Sequence, residues 1–380
     1  TTTGGAMCWG KNTAGQIGDN STTDRMIPVD VSGLTSGVAD LYSIGGAQNC
    51  ALLSDLSTIK CWGENEKNSI GDNSFVNQPI PIAHPVRASG RGALIGGGTR
   101  ICILTASEGL KCSGSDIAAG LGNDLTYDNP AIGPVVVSGT VGITIEAVRS
   151  VSGSATCYIR DGLPYCWGNK IFNLLGDNVT TTHPTPQLVS GISSVTQIAT
   201  GAPTGGSFGI RTGGELKAWG QGSIAHLGNN SIYPVSGLQS VYGLGANVTK
   251  VASGPTAACA VVGGAVKCWG ENGDGQLGGN YISTATSFLS TSPALGYLEA
   301  HSTAVSAPVS VSGISEGATS VAVGLSSSCA ILNKGALKCW GSQAGGLLGD
   351  NTIAGTSPVP VQVSGLSSGV AGVGVGFRNA

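Results

Sequence analysis

Apolar residues in this chain fall into short alternating runs of four to six positions, and no segment holds a helical period. Four kinds of run recur in a fixed order. The first is a V-x-x-V-x-x-G segment, such as VTKVASG from Val248 or ATSVAVG from Ala318. The second is of the C-A-L-L type, at Cys50 to Leu53 and Cys329 to Leu332. A K-C-W-G run follows, and then P-V-x-V-S-G, as at Pro28 to Gly33 and Pro360 to Gly365. Gly, Asn, Asp and Ser separate the runs. Short β-branched segments between such turn formers predict β-strands, four to a unit, in an all-β fold.

The units register on a tryptophan and a glycine. CWGKNTAGQIGDN (Cys8 to Asn20) returns six times, with Trp9, Trp62, Ser113, Trp167, Trp219, Trp269 and Trp340 in the aromatic slot. Nine residues later comes the glycine of an Ile-Gly or Leu-Gly pair: Gly18, Gly71, Gly122, Gly176, Gly228, Gly278 and Gly349. Each unit then reaches a Ser-Gly, the last at Gly365. A period of about 50 residues belongs to propellers rather than helical solenoids.

The pattern x-C-A-L-x-x-x-G-x-x-x-C-W-G-x-N-x-x-G-Q-L-G-D-N resembles the regulator-of-chromosome-condensation repeat in its cysteine-bearing, secreted bacterial form. The resemblance covers essentially the whole chain. It is strongest from Cys259 to Gly278 and weakest in the units carrying Ser113 and Ala218. It implies a seven-bladed β-propeller, in agreement with the count of seven units. Residues 1–380 are accordingly expected to form a single propeller domain with four-stranded blades. Thr1 to Trp9 reads as a third strand, and Val370 to Ala380 as a first strand entering a second. One blade is therefore expected to be shared between the N- and C-termini.

Ten of the eleven cysteines form five local pairs: Cys50–Cys61, Cys102–Cys112, Cys157–Cys166, Cys259–Cys268 and Cys329–Cys339. Each pair brackets a hairpin turn, which sets the sulfurs on neighbouring antiparallel strands. In the fifth unit both positions are lost together, to Gly209 and Ala218, as a disulfide would require. C-x-x-C knuckles and His-Cys clusters, which zinc would need, are absent from the sequence. Disulfides predict a secreted, periplasmic or cell-surface protein. Cys8 is left over. By spacing, its partner falls one residue past Ala380, and the natural chain is expected to continue there.

Composition narrows the chemistry. Charged residues are 10% of the chain, formal net charge is −3, and no basic run exists, so a phosphate backbone is not an expected partner. No run of 18 apolar residues is present, so no membrane insertion is expected. The tryptophans, repeating at one strand position, read as packing between blades rather than as a ligand platform. Gly-Asp-Asn at Asp19, Asp72, Asp177 and Asp350 reads as an Asx-type turn. Single carboxylates a blade apart do not build a calcium site. The four histidines (His84, His183, His226 and His301) lie in different units, and no catalytic or nucleotide-binding motif accompanies them. Neither cofactor nor metal is expected, and no enzymatic activity. Asn20, Asn178, Asn229 and Asn247 head glycosylation sequons, which matter only in a glycosylating host.

One loop stands out. From the Leu-Gly glycine to the Ser-Gly glycine most units span 9 to 19 residues, but Gly278 to Gly313 spans 35. The excess, about Asn280 to Ser306, carries Tyr281, Phe288, Leu289, Leu295, Tyr297, Leu298 and His301, an apolar set suited either to a partner interface or to packing on its own blade. The expected function is an extracellular or cell-surface module that binds protein or assembles. A surface filament or layer subunit is the alternative within that class. The resemblance implies two precedents: a secreted inhibitor that clamps a β-lactamase, and nucleotide exchange on a small GTPase. The second needs a reducing compartment and a basic arm, neither of which is legible here. Polysaccharide or cell-wall cleavage has no supporting motif.

Overall fold

A computed structural model describes residues 1–44, 47–97, 100–115, 119–125, 133–145, 147–151, 155–168, 175–176, 182–201, 206–220, 225–231, 237–283, 304–376 and 380. The fold is an all-β propeller. Strands β1 (Met7–Gly10) and β2 (Arg25–Asp30) pair as a two-stranded sheet. Six four-stranded antiparallel blades follow in chain order. The first is β3 (Val38–Ser43), β4 (Gln48–Leu53), β5 (Ile59–Gly63) and β6 (Gln78–Ala83). The second is β7 (Leu94–Gly97), β8 (Arg100–Leu104), β9 (Leu110–Gly114) and β10 (Val135–Val136). The third is β11 (Ala147–Val151), β12 (Ala155–Arg160), β13 (Leu163–Gly168) and β14 (His183–Leu188). The fourth is β15 (Val195–Thr200), β16 (Ser207–Arg211), β17 (Leu216–Trp219) and β18 (Gln239–Ser240). The fifth is β19 (Val248–Ser253), β20 (Ala257–Val262), β21 (Ala265–Glu271) and β22 (Ala304–Ser310). The sixth is β23 (Ala318–Val323), β24 (Ser327–Leu332), β25 (Leu337–Ser342) and β26 (Thr356–Gln362).

This corrects the expectation of seven four-stranded blades with one shared between the termini. The described residues form six such blades, and β1–β2 stands as a two-stranded sheet. The physical reason lies in the C-terminal segment. Gly372, Gly374 and Gly376 alternate along Val370–Gly376, which removes every second side chain and raises the entropy cost of a strand. No ladder forms there. Among the described residues of this segment, Ala380 exchanges two backbone hydrogen bonds with Trp9 of β1, at 2.8 and 3.0 Å.

The third strand of each unit shows how the repeat works. Its C-W-G glycine has φ between 100° and 115° in every unit, and at Cys8/Gly10, Cys61/Gly63, Cys166/Gly168, Cys268/Gly270 and Cys339/Gly341 the register to the fourth strand slips there. A Cβ on Gly63 would lie 2.2 Å from the Ala47 carbonyl oxygen, so only glycine can make this bulge. The preceding tryptophan is thereby set against the previous sheet. Trp62 donates from Nε1 to the Gln16 carbonyl at 3.0 Å, Trp167 to Gly120 at 3.1 Å, Trp269 to His226 at 2.9 Å and Trp340 to Gln276 at 2.8 Å. Each ring also covers the Leu-Gly glycine of that previous sheet, where a Cβ would stand 2.6–2.8 Å from the ring. Trp9 makes the same contact with Gly349, so the series returns on itself.

A second belt runs outside the first. Two residues after the Ile-Gly or Leu-Gly glycine, Asn20, Asn73, Asn230, Asn280 and Asn351 hold φ between 62° and 72°, a region asparagine tolerates. Asn20, Asn280 and Asn351 donate their backbone N–H to carbonyls of Pro79, Pro358 and Met26 on the next sheet's outer strand. Those outer strands carry Pro28, Pro79, Pro81, Pro184, Pro186, Pro308, Pro358 and Pro360. Proline cannot donate to a further strand, so the outer edges resist edge-to-edge pairing.

Candidate functional site

Five disulfides join second and third strands within blades: Cys50–Cys61, Cys102–Cys112, Cys157–Cys166, Cys259–Cys268 and Cys329–Cys339, with Cα–Cα separations of 4.0–4.2 Å. All ten sulfur-bearing residues are fully buried, facing the following sheet. The blade without a bridge departs from the sequence alignment. Ala218 pairs across the strands with Phe208, not with Gly209. The ring of Phe208 therefore fills the place of the missing bridge, meeting Trp269 edge-on at 5.5 Å between centroids. The separation of 10 between Phe208 and Ala218 is that of Cys102–Cys112 and Cys329–Cys339, whereas Gly209 corresponds to the nine-residue spacing of Cys157–Cys166 and Cys259–Cys268.

Ser113 replaces tryptophan in the second blade, yet the junction keeps its hydrogen bond. Its Oγ donates to the Ser69 carbonyl at 2.6 Å, the position that other units offer to an indole. Pro134 supplies part of the missing bulk, since a Cβ on Gly71 would sit 3.1 Å from its Cγ.

The Gly-Asp-Asn loops are self-satisfied. Buried Asn12 donates from Nδ2 to the Asp19 carboxylate at 3.3 Å and to the carbonyls of Ser21 and Thr23, while its Oδ1 accepts from Ile17 N–H at 2.9 Å. Asp19 accepts from Ser21 N–H two residues on and pairs with Arg25. Burial opposes ionisation of Asp19, but hydrogen bonds from Ser21 and Arg25 outweigh it and hold the carboxyl below its usual range. Asn65 and Asp72 repeat the arrangement. These carboxylates point at their own loops, and among the described residues no group of three His, Cys, Asp or Glu is placed to hold a metal.

The histidines are dispersed. His226 is buried with Phe208 beside it, and its Nδ1 accepts the Gly206 N–H. His84 is buried and accepts the Val86 N–H at 3.0 Å. Burial pushes both imidazoles down to about 4. His183 lies half-buried on β14, far along the chain from either. No acid, base and nucleophile converge among the described residues.

Of the long insertion, Tyr281 lies within the described residues, 38% exposed, with its carbonyl accepting from Asn272 Nδ2 at 3.0 Å. Phe288, Leu289, Leu295, Tyr297, Leu298 and His301 lie outside them. Both roots of the insertion are fastened. Asn280 N–H donates to Pro358 on the following blade, and the Ser306 carbonyl accepts from Asn230 on the preceding one, each at 2.9 Å. A separate cavity of about 300 Å³ opens where β1 faces the C-terminal segment, lined by Met7, Trp9, Leu41, Leu337, Leu366 and Val373 among others.

The described residues thus form a propeller whose units are joined by a tryptophan–glycine lock. No family model matches the chain. It is similar to the human E3 ubiquitin-protein ligase HERC2, 27% identical over 271 residues, which are 69% of this chain and 6% of that protein. It is similar also to the ultraviolet-B receptor UVR8 of Arabidopsis thaliana, 24% identical over 60% of this chain and 52% of the receptor. The chain thus spans a small part of one relative and about half of the other. Its fold is that of Saccharomyces cerevisiae Prp20p, characterised for binding Gsp1p and histones, with a TM-score of 0.78 at 18% identity over 100% of this chain and 91% of Prp20p. Human WBSCR16 matches at 0.77 and 16% identity, over 99% and 97% of the two chains. These likenesses support the regulator-of-chromosome-condensation resemblance. No helix among the described residues is long and apolar enough to cross a membrane.

Proposed function

We propose that residues 1–380 act as one extracellular, disulfide-stapled propeller that binds another protein through its loop-bearing rim and performs no catalysis itself. The observation that carries this reading is the insertion after Gly278. Its two described ends are fixed by backbone hydrogen bonds, between Asn280 and Pro358 and between Ser306 and Asn230, and a long connection rooted on a rigid frame suits an interaction loop. Five buried disulfides support an oxidising setting. The test replaces residues 280–306 by a short Gly-Ser turn. A shortened protein that keeps its thermal transition but loses self-association in sedimentation, or loses proteins the full chain retains on a column, supports the reading. Unchanged behaviour in both assays overturns it.

Nucleotide exchange on a small GTPase is the second reading, favoured by the shared fold with Prp20p and its binding of Gsp1p. Net charge of −3 and the disulfides weigh against it. Thiol titration of native material separates the two: a set of free thiols favours exchange in a reducing compartment, and a single buried thiol favours the extracellular role.

A further inference from the structure

The repeat writes opposite charges at the two ends of its third strand. Lysine stands just before Cys-Trp-Gly or its variants at Lys60, Lys111, Lys217, Lys267 and Lys338, at the hairpin end of that strand. Glutamate follows the run at Glu64 and Glu271, whose backbone N–H groups donate to Ala47 and Thr256 in the turns between first and second strands. Lys60 and Glu64 are four residues apart, as are Lys267 and Glu271, which is about 13 Å along an extended strand. These ends open on opposite faces of the ring. On one face the hairpins meet the passages into first strands, with Ser54 N–H donating to Gly37, Gly263 to Asn247 and Asn333 to Gly317. On the other lie the first-to-second turns and the Gly-Asp-Asn loops, and there Thr256 Oγ1 reaches the Leu325 carbonyl of the next blade at 3.1 Å.

Local pairs cancel part of the charge on each face and leave remainders of opposite sign. On the hairpin face Lys111 pairs with Glu108, Lys217 and Arg211 with Glu215, and Arg87 with Asp55. Among the described residues Lys60, Lys250, Lys267, Lys334 and Lys338 have no carboxylate partner there, against the cation-free acids Asp30, Asp40 and Glu316. On the loop face Lys11 pairs with Asp24 and Arg25 with Asp19. Glu64, Glu66, Asp72, Glu271, Asp274 and Asp350 have no cation there, against the single unpaired Lys67 among the described residues. Charged residues are 10% of the chain, so little else dilutes this polarity.

We propose that a second copy of this chain docks face to face, the lysine-bearing hairpin face of one ring against the carboxylate-bearing loop face of the next. Complementary charge sets this head-to-tail polarity, since like faces repel. The two faces differ, so the contact is heterologous. Each added ring presents the face that the next one needs, and the assembly grows as an open stack. This rests on the protein-binding reading above and names the partner as a second copy, through residues outside the insertion.

Sedimentation velocity of the 380-residue protein at about 20 mM and about 500 mM salt tests it first. Stacks should form at the lower salt concentration, and their association should weaken about tenfold or more at the higher. Reversing each face in turn follows. Glu64→Lys with Glu271→Lys installs the residue that Lys11 already holds at that position, so the thermal transition should be kept. Lys267→Glu with Lys338→Glu reverses the other face, at a slot where Met7 and Tyr165 show that lysine is dispensable to the fold. Each variant alone should associate about tenfold more weakly than the parent. An equimolar mixture of the two should recover stacks, because the reversed face of one meets the reversed face of the other. A protein that stays monomeric at both salt concentrations, or a mixture as dissociated as its parts, overturns the proposal. Association that ignores salt and both reversals, but disappears when residues 280–306 are replaced, also overturns it and leaves the insertion as the binding element.

Discussion

Trp9 and Leu347 stand 338 residues apart, yet the indole Nε1 of the first donates to the carbonyl of the second at 3.1 Å. With Gly349 under the same ring, this contact joins the sixth blade to β1 and closes the circle. Gly349 and Gly33 separate its two components. Both have positive φ, 63° and 67°, but a Cβ would meet Trp9 at 2.8 Å in the first and nothing within 4 Å in the second. Gly33→Ala should cost about 1–2 kcal/mol, the left-handed backbone penalty. Gly349→Ala should cost roughly 1–3 kcal/mol more through overpacking. Urea melts of the two variants check the difference, and equal losses would mean that the ring is not held there.

At the junction lacking tryptophan, Ser113→Ala removes the donor and leaves the Ser69 carbonyl buried without it. Stability should fall by about 1–3 kcal/mol. Ser113→Trp should destabilise on its own, because Pro134 occupies the room an indole needs. Adding Pro134→Ala should recover part of the loss, a coupling that a double-mutant cycle measures.

Cross-strand bridges make a simple expectation for mass mapping under non-reducing conditions. All five bonds should lie within blades, as the geometry has them, and a bond between blades would refute the arrangement. Replacing Cys259 and Cys268 together by serine should cost about 2–3 kcal/mol for a loop of this length.

The fourth blade allows the converse experiment. Phe208 and Ala218 are cross-strand partners in the register that bears cysteines elsewhere. Phe208→Cys with Ala218→Cys should form a sixth bridge, detectable as a titratable thiol count that stays at the parent's value despite two added cysteines. The gain of about 2–3 kcal/mol should be largely cancelled by loss of the aromatic packing on Trp269.

Acid should weaken the fold through His84 and His226. Their folded values, about 4, lie below the free value of 6.5 because burial disfavours the charged ring. Between those limits the unfolded chain binds more protons, so stability falls as pH drops from about 6.5 towards 4 and is fully retained above 6.5. Denaturant melts at pH 7 and pH 4.5 should show the loss, and His84→Asn with His226→Asn should flatten it. An equally steep pH dependence in the double variant would assign the effect to other groups.

The parts of this fold that were legible in sequence are those set by fixed spacing. Nine residues from tryptophan to glycine is a contact distance between neighbouring sheets, and it repeats because the geometry repeats. What escaped depended on substitutions that conserve a role while changing the residue. Ser113 keeps an indole's hydrogen bond with a hydroxyl, and Phe208 replaces a bridge by bulk one position away from the aligned Gly209. The blade count failed for another reason: the last V-x-x-V-x-x-G segment, Val370–Gly376, carries a glycine at every second position from Gly372 and forms no ladder. Of the candidate site, Tyr281 and the two ends of the insertion fall within the described residues, and the bonds that anchor those ends could not be read from spacing alone.

The belt formed two residues after the Ile-Gly or Leu-Gly glycines has an evolutionary consequence. At Asn20, Asn230, Asn280 and Asn351 the backbone N–H bonds the neighbouring sheet before the chain reaches its own outer strand. From Gly228 to Gly237 that passage takes 9 residues, and from Gly278 to Gly313 it takes 35, with the same backbone bond at Asn230 and Asn280 in both. Passages of both lengths start from the same anchored position. Recombination could lengthen, shorten or exchange these segments without renegotiating the core, and a protein engineer could graft foreign epitopes there on the same terms.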